Sequence, residues 1–104
     1  MSSPGSGGEY QVHNSIAIAQ AFLLLQRRAT REGRGAEVLQ AAREIYDRLR
    51  VDPFEFGEPL YNLPNLRMQV RTVLIRPLNV DYAVCQDRPL VFIKAVRLLS
   101  RGRD

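Results

Sequence analysis

The chain has 104 residues, of which 45% are hydrophobic and 25% charged, and it carries a net charge of +4. One modest globular domain is expected, and both a pair of domains and a chain disordered throughout are excluded. The single cysteine, Cys85, excludes an internal disulfide, and no His/Cys cluster at metal-ligand spacing accompanies it, so no metal or other cofactor is expected.

Fourteen of the basic residues are Arg and one is Lys. Guanidinium groups bind phosphate in forked pairs, so such a bias suits nucleic acid when the arginines share a face, and a solvated surface when they do not.

In chain order, residues 1–9 open with MSSPGSGG, which has nothing to bury and predicts a mobile tail ahead of a domain over 10–100. Residues 10–13 suit a short strand. Asn14 or Ser15 can cap a helix start, and Ile18, Ala21, Phe22 and Leu25 recur at helical spacing, predicting a helix to about Glu32. Gly33 and Gly35 interrupt that pattern. A second helix follows over 36–50, with Val38, Ala42, Ile45 and Leu49 as its apolar stripe and Ala41 and Tyr46 widening it. The two helices form an αα-hairpin.

Asp52-Pro53 stops the second helix because the residue before proline avoids helical geometry. In the linker that follows, Phe54, Phe56, Leu60, Tyr61 and Leu63 are too apolar for a free loop and are expected to pack beneath a sheet edge. Glu55 and Glu58 read there as ordinary surface carboxylates. Strands are predicted over 66–75, 78–85 and 90–98, joined by connections too short for a crossover helix, so they must pair antiparallel. The fold class is therefore α+β, an αα-hairpin packed on a three- to four-stranded antiparallel sheet.

In the first predicted strand Leu66, Met68 and Val70 alternate with Arg67, Gln69 and Arg71. The apolar set is expected in the core, which sets Arg67 and Arg71 on one open face only about 14 Å apart, within reach of a few phosphates. In the second, Leu78, Val80, Tyr82 and Val84 form the core set, so Tyr82 reads as interior. His13 reads as an exposed or capping residue, and Cys85 as a small structural one.

The ten residues Ile16 to Leu25 are broken by Gln20 and are half of the ~20 needed to span a bilayer. Residues 1–14 contain no Lys or Arg, unlike a secretory signal. A cytoplasmic protein without a membrane span is expected.

Two helices, an L-x-x-DP linker, an LP-N-L-R-M-Q-V-R strand, a V-D-Y-A-V strand and a PLVFIKAV strand together resemble the RelE/ParE toxin superfamily over residues 16–99. The resemblance implies a bacterial toxin component silenced by a cognate antitoxin. RelE-like members cut messenger RNA in the ribosome without a metal, and ParE-like members poison DNA gyrase. On that basis Arg67 and Arg71 hold phosphate, Gln69 and Arg97 assist as catalytic candidates, Lys94 adds RNA contact, and Leu60 and Tyr61 face the antitoxin. The sequence departs from the nuclease pattern at Gln69 and Asn79, where cations are common, and the last strand ends in Arg97, Leu98 and Leu99 without the usual basic cluster. Those departures favour a second reading, a catalytically inactive protein-binding domain of the same shape.

Overall fold

The computed structural model describes residues 9–100, so the tail expected over 1–8 lies outside the described residues. Its elements run β1 (Gln11–His13), α1 (Ile16–Arg31), α2 (Gly35–Val51), β2 (Glu58–Leu63), a 3₁₀ turn (Pro64–Leu66), β3 (Met68–Ile75), β4 (Leu78–Cys85) and β5 (Leu90–Leu98). The architecture is α+β, with two helices and a five-stranded mixed sheet.

Both helices start and stop where their chemistry dictates. The Ser15 hydroxyl accepts the Ile18 amide at 3.1 Å and satisfies a free donor of the first turn of α1. At the other end Gly33 adopts φ +76°, its amide bonds to Thr30 O at 3.1 Å, and the Arg34 amide bonds to Ala29 O at 2.7 Å. This left-handed glycine cap turns the chain straight into α2. On α2 the stripe Val38, Ala41, Ile45 and Leu49 is buried, and Ala42 is half-buried beside it.

The sheet order is β1-β5-β4-β3-β2, and two features depart from the antiparallel meander expected. β1 pairs with β5 in parallel, His13 opposite Phe92. The linker supplies a fifth strand, β2, antiparallel to β3 with a bulge between Pro59 and Tyr61. Proline is tolerated in β2 because it is an edge strand whose outer side has no ladder to complete.

The face assignment of β3 is the reverse of the one expected. Register sets Gln69, Arg71, Val73 and Ile75 opposite Val84, Tyr82, Val80 and Leu78. Those four β4 residues face the helices and form the core with Leu25, Ile45, Leu49 and Ile93. Arg71 therefore lies on the covered face, while Met68, Val70, Thr72 and Leu74 lie on the other. Leu66 is no core residue either: it sits in the 3₁₀ turn with 63% of its surface exposed. The turn also removes Arg67 from the strand. Pro64 fixes the turn's first position, and Arg67 ends it in the left-handed region at φ 54°, its amide bonded to Pro64 O.

Within the linker, Phe56 is buried and Phe54 partly so, as expected. Leu60 and Tyr61 do not pack beneath the edge; they are 50% and 54% exposed on β2.

Candidate functional site

Arg71 is 7% exposed, and its whole guanidinium is engaged. Nε donates to Phe56 O at 3.2 Å, Nη2 to Gly57 O at 3.1 Å, and Nη1 to Gln69 Oε1 at 2.6 Å. Its cross-strand neighbour Tyr82 is fully buried, and the phenol donates to Pro53 O at 3.0 Å and to Phe56 O. Burial raises the Tyr82 pKa, with the nearby Arg71 opposing the shift. These two side chains serve three carbonyls of the 53–57 loop, those of Pro53, Phe56 and Gly57. Gly57 lets that loop come close: it has φ +72°, and a Cβ there would meet Thr72 O and, at 3.0 Å, Tyr82 Oη. From outside, Arg48 lies 4.6 Å from the Phe56 ring centroid.

Arg67 and Arg71 thus form no common face, which corrects the expected phosphate-holding pair. Arg67 is exposed at the end of the sheet, with Asp87 4.0 Å from Nη1. Gln69 is spent on its neighbours, accepting from Arg71 and donating to Asn62 Oδ1 at 3.3 Å.

The sheet face away from the helices carries a compact polar network. Arg97 on β5 donates to Asn79 Oδ1 at 2.7 Å and to Asp81 Oδ2 at 2.8 Å. Asp81 also accepts from the Thr72 hydroxyl at 2.8 Å, and the Asn79 amide donates to Thr72 Oγ1 and Val73 O, both at 3.0 Å. The Arg97 hydrogen bond holds the Asp81 carboxyl below its ordinary pKa, against partial burial, and the same contact raises Arg97. Asn79, where the resemblance puts a cation, is therefore the acceptor for a cation from the adjoining strand.

On that face His13, Phe92, Ala83, Val70 and Tyr61 fall in one cross-strand row. The His13 ring stacks on Phe92, centroids 5.3 Å apart. Lys94 is exposed where β5 bulges between its pairings with Asp81 and Tyr82. Cys85 is buried and unpaired. Among the described residues, no group of three or more His, Cys, Asp or Glu side chains is placed to hold a metal, and no helix is long and apolar enough to cross a membrane.

Sequence reasoning missed two groups of cations. Arg34, in the turn between the helices, is 4% exposed and donates to Leu99 O at 2.8 Å, pinning the end of β5 to the helical hairpin. Arg27, Arg28 and Arg31 close one side of α1 beside β5. Their spacing of one and four positions, at the end of an apolar helical run, was the signal available.

No family model, curated protein or solved structure matches this chain.

Proposed function

We propose that this chain is a RelE/ParE-like domain of a bacterial toxin-antitoxin pair that works by holding a protein partner, its cognate antitoxin, rather than by cutting RNA. One observation carries the reading: Arg71, one of the two arginines expected to hold phosphate, is buried and consumed inside the protein, and Arg97, the assisting candidate, is already paired on the sheet surface. Arg71 serves the carbonyls of Phe56 and Gly57, and Arg97 serves Asn79 and Asp81. An RNA phosphate would have to break these contacts, and stripping the buried Arg71 of its partners costs about 3–5 kcal/mol. The basic composition, the helical pair on one sheet face and the open opposite face support the family half of the reading. The exposed pair Leu60 and Tyr61 supports a protein contact at β2, because they lie on a strand whose outer edge is unpaired among the described residues and open to an added strand.

The test is to produce the chain alone in a bacterium, and then together with the product of an adjoining small gene. The expected outcome is uncut messenger RNA and co-purification of the two proteins, lost when Leu60 and Tyr61 are both changed to Asp in a chain that still folds. Growth arrest with cleaved messenger RNA, relieved by Arg67→Ala with Arg97→Ala, would instead establish the ribosome-dependent nuclease. Arrest with DNA damage would establish a gyrase poison.

A further inference from the structure

β1 pairs with β5 only from Leu90 to Phe92, after which the chain leaves the sheet and enters α1. From Ile93 to Leu98 the outer edge of β5 has no strand neighbour among the described residues. The C-terminal half of α1 runs beside this edge, and helix and strand enclose an open groove of about 700 Å³. Its floor is apolar: Ala21, Leu24 and Leu25 from α1, Val96 and Leu98 from β5. Leu24 is 63% exposed there.

The rim is cationic. Arg27, Arg28 and Arg31 stand on the helix side, while Arg97 on the strand side is already neutralised by Asp81 at 2.8 Å. Arg28 reaches Glu32 only at 3.9 Å in solvent, and Arg27 and Arg31 have no acidic partner among the described residues. Lys94, on the same strand, adds a further positive charge.

Each feature narrows the occupant. A free strand edge offers unpaired backbone donors and acceptors, which an extended segment satisfies by adding as a strand. The positive rim repels a second copy of this chain and attracts carboxylates. An apolar floor fits side chains of the opposite strand parity, and a nucleic acid would leave it wet. We infer that the groove between α1 and β5 docks an extended acidic segment of a protein partner, with alternate apolar side chains on the floor and carboxylates against Arg27, Arg28 and Arg31 of the helix. This inference rests on the partner-binding reading and deepens it. It uses a surface on the opposite side of the sheet from Leu60 and Tyr61.

The experiment titrates the full chain, by fluorescence anisotropy, into a labelled synthetic peptide alternating Glu or Asp with Leu or Val. The expected result is binding about tenfold tighter than for the same peptide with Gln and Asn in place of the acids, weakening as salt rises. Arg27→Glu with Arg31→Glu should remove that tenfold preference, Leu24→Ser should weaken both peptides, and Arg43→Ala, on the exposed side of α2, should change neither. All of these positions are exposed, and circular dichroism checks that each variant folds. Hydrogen exchange should slow at the amides of 94–98. Equal affinity for acidic and neutral peptides, an unaffected double variant, or protection confined to other strands would overturn the inference. So would tighter capture of oligouridylate or of phosphatidylserine vesicles by the same arginines. If the acidic peptide fails while Leu60 and Tyr61 still govern co-purification, the groove assignment falls and the partner-binding reading stands. If it binds through the groove while the co-produced protein ignores both surfaces, the antitoxin reading falls instead.

Discussion

Arg71 and Tyr82 stand opposite each other on β3 and β4 and hydrogen-bond to the same carbonyl oxygen, that of Phe56. An arginine and a phenol converging on one loop acceptor make a structural brace. Arg71→Ala should destabilise the protein by about 2–4 kcal/mol, because the Gly57 carbonyl loses its side-chain donor and the Phe56 carbonyl keeps only the phenol, and Tyr82→Phe by about 1–2 kcal/mol. Since the two share an acceptor, each single variant leaves the Phe56 carbonyl one donor, and the double variant, which leaves it none, should lose more than the sum of the single losses. Urea unfolding of the four proteins gives the coupling directly.

Gly33 and Gly57 have nearly the same backbone angle, φ +76° and +72°, in different surroundings. A Cβ at Gly33 meets nothing within 4 Å, whereas one at Gly57 collides with Thr72 O. Gly33→Ala should cost about 1 kcal/mol, the conformational strain alone. Gly57→Ala should cost several times more and should release the 53–57 loop, seen as faster hydrogen exchange there. Equal losses at both sites would show that the close approach to β3 is unimportant.

Acid should weaken the Asp81–Arg97 contact in a defined window. The folded carboxyl titrates below the ordinary aspartate value of 3.8, so its contribution is complete above that value and is lost as the pH falls through the lower folded one. Asp81→Asn should flatten that part of the stability-against-pH curve while leaving the plateau near neutrality lower. A curve of unchanged shape would rule out the Arg97 contact as the cause.

Tyr82 predicts the opposite limb. Its pKa is raised in the folded protein, so stability is complete below the ordinary tyrosine value of 10.0 and declines as the pH climbs toward the folded value. Ultraviolet difference spectra should show one tyrosine ionising later than the others, in step with unfolding, and Tyr82→Phe should abolish that late phase.

Much of the fold was legible because its signals are local. The 3.6-residue period of Val38, Ala41, Ile45 and Leu49, the Ser15 cap and the left-handed Gly33 depend on neighbours a few positions away. The face of β3 was not legible because both of its parities contain apolar residues. Val73 and Ile75 share Arg71's parity, so the charged residue looked decisive, although its guanidinium finds buried carbonyls on the covered side. Pro59 and Pro64 disguised β2 as loop, since proline marks turns more often than edge strands. Parallel pairing of β1 with β5 leaves no short-range trace, because its partners are some eighty residues apart. The candidate site inherited the β3 error. An exposed pair of arginines was expected where the protein has one arginine in a turn and another serving its own loop.

The parallel union of β1 with β5 has a consequence for biosynthesis. The strands against which the helical hairpin rests, β4 and β5, follow it in the chain, and β1 has no other strand to join. A nascent polypeptide stopped short of β5 would emerge from the ribosome with α1 lacking the strand it rests on and its first strand unclaimed. Closure of the sheet at β1 therefore waits on synthesis of the last strand, Leu90–Leu98.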